Sequence, residues 1–185
     1  MSDLRAAARA TLADWDASTP GQQALREAYL GIIDSREDVC RRSCLPGHLT
    51  ASALVLDPDG NTCLVHHKIA GAWLQPGGHV EETMDETLAA AALREAGEET
   101  GLPDLVIDPV PVHLDVHPIT CRGSAGPTRH FDVRFLVLAP HVPPVVSAES
   151  HDVRWFAPNE WTSLRTELQE TLAAARQRQL DPRRG

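Results

Sequence analysis

Gly77 and Gly78 are followed by His79-Val80-Glu81-Glu82, then Glu86, then Arg94-Glu95-Ala96-Gly97-Glu98-Glu99-Thr100-Gly101-Leu102, and few folds accommodate such a run. Residues Asp85 to Thr100 have high helix propensity, and Gly101 stands where a left-handed C-terminal cap is expected, so the segment reads as one helix. On that helix Glu95, Glu98 and Glu99 fall at i, i+3 and i+4, which puts three carboxylates on one face within about 6 Å of one another. At an effective dielectric near 20, each such pair repels by about 3 kcal/mol. A hard divalent cation removes that repulsion, and oxygen ligands with open water positions suit Mg²⁺, or Mn²⁺, bridging to substrate phosphates. The glycine pair lets the backbone turn sharply and present the Gly78 carbonyl to the same metal. Arg94, with Glu86 two turns before it, is suited to fixing the carboxylate rotamers from behind. A solvated charged face is the alternative for a lone Glu pair, but glycines on both sides at fixed spacing favour the metal.

The rest of the chain is organised around this helix. Residues 1 to about 40 carry Leu25, Tyr29, Ile32 and Ile33 at helical spacing and are broken at Ser18-Thr19-Pro20-Gly21, which predicts two helices. Pro46-Gly47 closes this part, so residues 1–46 form an N-terminal helical extension and residues 47–185 the main domain. From Leu49 to Asp57 and from Thr62 to Lys68 run short strands separated by Asp57-Pro58-Asp59-Gly60, a hairpin signal. Residues 104–119 and 129–139 are further strands, with Pro109, Pro111 and Pro118 confining the first to an edge, a bulge or two short pieces. The segment 121–128 between them is a flexible loop. Asp152 to Phe156 is a last short strand, and Pro158 opens a helix running to about Gln179. The order strands, helix, strands, helix predicts an α/β fold, a mixed sheet covered on both faces in an α/β/α sandwich.

A length of 185 residues suits one catalytic domain with a modest extension. The net charge of -9 and pI near 5.4 argue against DNA or RNA as partner, since no basic footprint is present. A small anionic substrate then needs a cation to mediate contact. Cys40, Cys44, Cys63 and Cys121 include no CxxC pair and are expected to be reduced thiols of a cytoplasmic protein. No run approaches the roughly 20 apolar residues of a membrane span, so neither export nor insertion is indicated.

Residues 94–102 match R-E-U-x-E-E-x-G-U, with U apolar, and Glu86 stands at the matching spacing before Arg94. In this the chain resembles the Nudix hydrolases. Seven residues rather than five separate Gly78 from Glu86, so the loop Glu82 to Asp85 carries two extra residues. Trp73-Leu74-Gln75-Pro76-Gly77-Gly78 also resembles the strand entering the motif, and the resemblance covers about residues 47 to 165. It implies a Nudix-type sandwich in which Glu95, Glu98 and Glu99 bind metal, with the Gly78 carbonyl as a further ligand and Arg94 and Glu86 as supports. It further implies Mg²⁺-dependent cleavage of a diphosphate linkage by an activated water, for which Glu98 and Glu149 are both candidate general bases. Pro118, 16 residues after Leu102, resembles a spacing associated with ADP-ribose hydrolases. An oxidised nucleoside triphosphate is the other substrate considered. An isopentenyl diphosphate isomerase and a non-catalytic nucleotide sensor are the readings from other classes. The first lacks suitable flanks around Cys63, and the second is disfavoured by the intact carboxylates. Two-fold dimers are common among such enzymes, so a homodimer is a possible assembly, and the N-terminal helices would either seal its interface or cap the pocket.

Two polar stripes complete the candidate substrate site. His113, Asp115 and His117 alternate on one strand, and His130, Asp132 and Arg134 on another, so they would line a shared pocket or else a solvent-facing sheet side. His79 beside the glycines belongs with them, and Trp73 is the aromatic best placed to stack on a nucleobase. At most one of His66 and His67 faces the site. Cys40, Cys44 and His48 repeat every four residues and invite a zinc site, but no fourth ligand is evident and Pro46-Gly47 breaks the helix such a repeat needs.

Overall fold

Each N-terminal helix is started by a side chain that accepts an otherwise unpaired backbone N–H. Asp3 accepts from Ala6 at the head of α1 (Leu4–Asp14), and Thr19 from Gln22 at the head of α2 (Pro20–Ser35), where Pro20 takes the first turn. The computed structural model describes residues 3–119 and 128–181, so most of the loop expected at 121–128, with Cys121, lies outside the described residues. Strands β1 (Gly47–Leu56), β2 (Thr62–His67), β3 (Ala72–Leu74) and β4 (Gly77–His79) lead into α3 (Leu88–Thr100). Then come β5 (Val106–Ile119), β6 (Thr128–Leu138), β7 (Ser150–Phe156), a 3-10 turn (Pro158–Ser163) and α4 (Thr166–Leu180).

The sheet runs β3-β2-β1-β6-β5, with β4 paired to β1 and β7 to β2. Its one parallel pairing among the described strands, β1 with β6, is the long central one, from Gly47 opposite Arg129 to Leu56 opposite Leu138. Leu49 and Ala51 of β1, with Val133 and Phe135 of β6, pack against Ala8, Leu12, Tyr29, Ile33, Leu88 and Ala92 of the three helices on one face. Leu54, Leu56 and Leu136 pack on the other face against Leu168, Leu172 and Ala175 of α4. The expected mixed sheet between helical layers is therefore what forms. The prolines act as expected too: β5 is an edge strand whose register shifts on either side of Pro111. No described helix is long and apolar enough to cross a membrane.

Two helix boundaries differ from expectation. The central helix starts at Leu88 rather than Asp85, because Thr87 Oγ1 caps it by accepting the Ala90 N–H at 3.0 Å while the Asp85 carboxylate turns back to the Glu81 N–H at 2.8 Å. The C-terminal helix is in two pieces. Leu164 N–H closes on the Trp161 carbonyl at 2.9 Å, which ends the 3-10 turn and lets Trp161 and Leu164 pack inward beside α4.

Gln22 shows how α2 is joined to the sheet. The residue is 8% exposed; its Nε2 donates to the Leu114 carbonyl at 3.0 Å, and its Oε1 accepts the Leu114 N–H at 2.7 Å. The amide thus serves the open edge of β5 as a neighbouring strand would. Gln22→Ala leaves two backbone groups unserved and is expected to lower the unfolding free energy by about 2–3 kcal/mol. Urea denaturation checks this; an unchanged midpoint would mean that water replaces the amide.

Candidate active site

Arg94 organises the first turn of the site. Its Nε and Nη2 donate to the two oxygens of Asp85, each at 3.0 Å, and Nη2 also donates to the His79 carbonyl at 3.0 Å. Nη1 donates to Glu95 Oε1 at 2.8 Å and to Glu98 Oε2 at 3.2 Å. One guanidinium therefore ties the end of β4, the loop before α3 and two helical carboxylates together, which its planar fork allows. Asp85, whose side chain is only 2% exposed, supports Arg94 from the position just before Glu86, the support expected from the spacing. Glu86 itself is exposed. Helix propensity alone places Asp85 within the helix; its outward turn goes with the cap at Thr87.

The carboxylates differ sharply in environment. Gly78, opposite Ala51 in the β4–β1 pairing, lies so close to Glu95 that a Cβ there would stand 2.6 Å from Glu95 Oε1. Only glycine fits. Glu99 is 5% exposed, and its Oε2 is buried with no hydrogen-bond partner. Burial, then the negative charge of Glu95, Glu149 and Glu98, pushes the Glu99 carboxyl up to about 8, against a hydrogen bond from the Gly77 backbone. Burial also raises Glu95, opposed by Arg94. Glu98 has a side chain 58% exposed. Glu149, exposed and just before β7, is near enough for its charge to act on both Glu95 and Glu99. A buried carboxylate oxygen without a donor, among further acids, fits a hard divalent cation such as Mg²⁺ or Mn²⁺.

The second face of the sheet carries the polar stripes, extended by one unforeseen. His48, Thr50 and Ser52 of β1 stand opposite His130, Asp132 and Arg134 of β6, which in turn face His117, Asp115 and His113 of β5. Asp132, 4% exposed, accepts from Thr50 at 3.1 Å, Ser52 at 2.7 Å and Arg134 Nε at 3.1 Å. Arg134 also reaches Asp115 at 3.0 Å and Thr171 of α4 at 3.0 Å. Asp115 holds His117 Nδ1 at 2.7 Å. His113 is turned to the edge, its Nε2 3.0 Å from Gln22 Nε2, and burial lowers its pKa to about 4. Trp73 lies further along, edge-on to Phe156, with the Arg154 guanidinium 5.2 Å from its ring centre. Stacking of a base on that side of Trp73 requires Arg154 to move. The clue to the β1 stripe was a polar residue at every second position of an otherwise apolar strand.

His79 joins His48 and His130 rather than standing alone. Among the described residues, this trio is the group of His, Cys, Asp and Glu whose ligand atoms all lie within 4.8 Å of one another. Of the three glutamates, Glu95 and Glu98 are held by Arg94, while the buried Oε2 of Glu99 has no hydrogen-bond partner among the described residues. Burial, followed by the charges of Arg42 and neighbouring histidines, lowers His79 to about 3 and, with His48 as its largest charge influence, lowers His130 to about 4. The zinc grouping considered for Cys40, Cys44 and His48 does not form: Cys44 Sγ pairs with Asp38 at 3.3 Å and burial pushes the Cys40 thiol up to about 12.

The model of the NUDIX domain matches residues 46–180. The chain therefore belongs to the NUDIX family and is a hydrolase of phosphoric anhydride bonds; members of the family use divalent metal ions. Comparison with curated proteins found no match. Similar solved structures include the MutT protein from Methanosarcina mazei Go1, at 20% identity and TM-score 0.58 over 71% of this chain and 94% of that one. The E. coli dihydroneopterin triphosphate pyrophosphohydrolase is 20% identical with TM-score 0.56, covering 72% and 95% respectively. The NUDIX domain of Shewanella oneidensis NrtR, complexed with ADP ribose, is 22% identical with TM-score 0.53, covering 75% and 92%. At these identities the structures share the fold.

Proposed function

We propose that this chain is a Mg²⁺-dependent pyrophosphohydrolase that cleaves the diphosphate linkage of a nucleoside diphosphate joined to another group, with an ADP-ribose-like substrate favoured. The observation that carries this reading is the unpartnered, buried Oε2 of Glu99, beside Glu95 and the glycine that Glu95 presses against. Glu95, Glu98, Glu99 and the Gly78 carbonyl would hold the metal. When bound, it neutralises charge on the phosphoryl oxygens and lowers the pKa of a bound water. Arg94 keeps Glu95 and Glu98 in place from behind, with Asp85 as its anchor. Glu98 and Glu149 are the two exposed acids able to take the proton of the attacking water, one from the helix and one from the loop before β7. The Asp115–Arg134–Asp132 network would receive the polar part of the substrate, with Trp73 at its rim and His113 behind it. The ADP ribose held by the NrtR domain and the position of Pro118 favour that substrate class.

A nucleotide panel with and without chelator tests this reading. ADP-ribose should give AMP and ribose phosphate, the reaction should stop in chelator, and excess Mg²⁺ or Mn²⁺ should restore it. Full turnover in chelator would overturn the metal's role. Exclusive turnover of nucleoside triphosphates would overturn the substrate class and leave the metal reading standing.

A further inference from the structure

The carboxylate cluster does not account for the three histidines on the other side of β4. His48, His79 and His130 come from β1, β4 and β6, and each pair of rings has its centroids 5.0 Å apart, so they form a near-regular triangle. The strand register makes the triangle: His48 is the direct parallel partner of His130, and His79 lies opposite Thr50, the next residue on the same side of β1. Their ligand atoms lie within 4.8 Å of one another. A tetrahedral Zn²⁺ with bonds of about 2.0 Å sets its ligand nitrogens about 3.3 Å apart, so small ring rotations close the gap.

A fourth histidine is poised beside the triangle. The His117 ring is 5.3 Å from His130, and its Nδ1 is held by Asp115 at 2.7 Å, which leaves Nε2 as its ligand atom. A carboxylate behind an imidazole is the usual arrangement around metal-bound histidine. Arg42 bears on the trio with like charge, but it is an exposed side chain screened by water.

We propose that His48, His79 and His130 form a second metal site, selective for a transition metal of the Zn²⁺ type, with His117 or an exogenous ligand completing it. Imidazole nitrogens suit Zn²⁺, Ni²⁺ and Cu²⁺ and are poor ligands for Mg²⁺, so the two sites sort metals by donor chemistry. The ion joins three strands at the point where β4 delivers Gly78 to Glu95 and the His79 carbonyl to Arg94. Its role is to pin β4 against β1 and β6. This proposal does not depend on which substrate the enzyme cleaves.

The test is a Co²⁺ titration of the metal-stripped full chain in a large excess of Mg²⁺, followed by visible absorption. The parent and Glu99→Gln should each bind a single equivalent with the strong bands of a four- or five-coordinate ion. His130→Asn and His48→Asn should bind at least about 10-fold more weakly. His48 is fully buried, so His130→Asn, at a half-buried position, is the primary variant and circular dichroism checks both. In the parent alone, imidazole proton NMR gives an independent reading: at least three ring signals should shift with Zn²⁺ and stay put with Mg²⁺. Co²⁺ binding that survives in both histidine variants but is lost in Glu99→Gln would overturn the proposal. So would the absence of Zn²⁺-induced ring shifts.

Discussion

Glu99→Gln is expected to lower kcat by about 10³-fold or more, some 4 kcal/mol of transition-state stabilisation. The change keeps shape and removes the charge that a hard cation needs, at a carboxylate whose buried Oε2 has no protein donor. Stability should move the other way in chelator. The folded-state carboxyl is raised from 4.5 to about 8, so the stability it contributes is present in full below its ordinary value and is lost as pH rises through about 8. The metal-stripped parent should therefore lose stability between about pH 5 and pH 8. The variant, with no proton to release there, should lose less and melt at the same temperature or higher at pH 8. Turnover assays and melting curves at the two pH values check both halves. A variant that keeps near-parental activity removes Glu99 from the site.

Arg94→Ala should damage fold and function together. It leaves the Asp85 carboxylate, 2% exposed, without its ion-pair partner and releases Glu95 and Glu98 to repel each other. Breaking a buried pair from one side is expected to lower stability by about 3 kcal/mol, and Mg²⁺ affinity should fall roughly 10- to 100-fold. Arg94→Lys should recover little, because an ammonium group cannot bond both Asp85 oxygens in a fork while also reaching the His79 carbonyl. Chemical denaturation and a Mg²⁺ titration of activity measure the two effects. An unchanged Mg²⁺ titration would reduce Arg94 to a structural cation.

The parts of this site visible in the sequence are those set by local geometry. Gly101 caps α3 with a φ of 61°, a backbone conformation that favours glycine, and the i, i+3, i+4 spacing of the glutamates follows from the helix alone. The alternating residues of β5 and β6 likewise had to share a face. What those residues touch depended on partners far along the chain. His48 meets His130 through a parallel pairing across 82 positions, and no local signal carries that register. Asp85 was hidden for the opposite reason, since helix propensity ran through it and only the Thr87 cap reveals that it turns away. Alternation places Asp132 on the shared face, but the three donors that hold it there come from its own strand and from β1, far along the chain.

Glu95, Glu98 and Glu99 are the proposed ligands of the divalent ion that activates the water. Mn²⁺ binding, followed by the loss of the free-ion electron paramagnetic resonance signal, measures this directly in the parent and in each Glu→Gln variant, with the histidine trio saturated by Zn²⁺. Tight Mn²⁺ binding by the parent, displacement by Mg²⁺, and loss of affinity in all three variants, largest for Glu99→Gln, are the expected results. Parental Mn²⁺ affinity in Glu99→Gln and Glu95→Gln alike would contradict that ligand assignment.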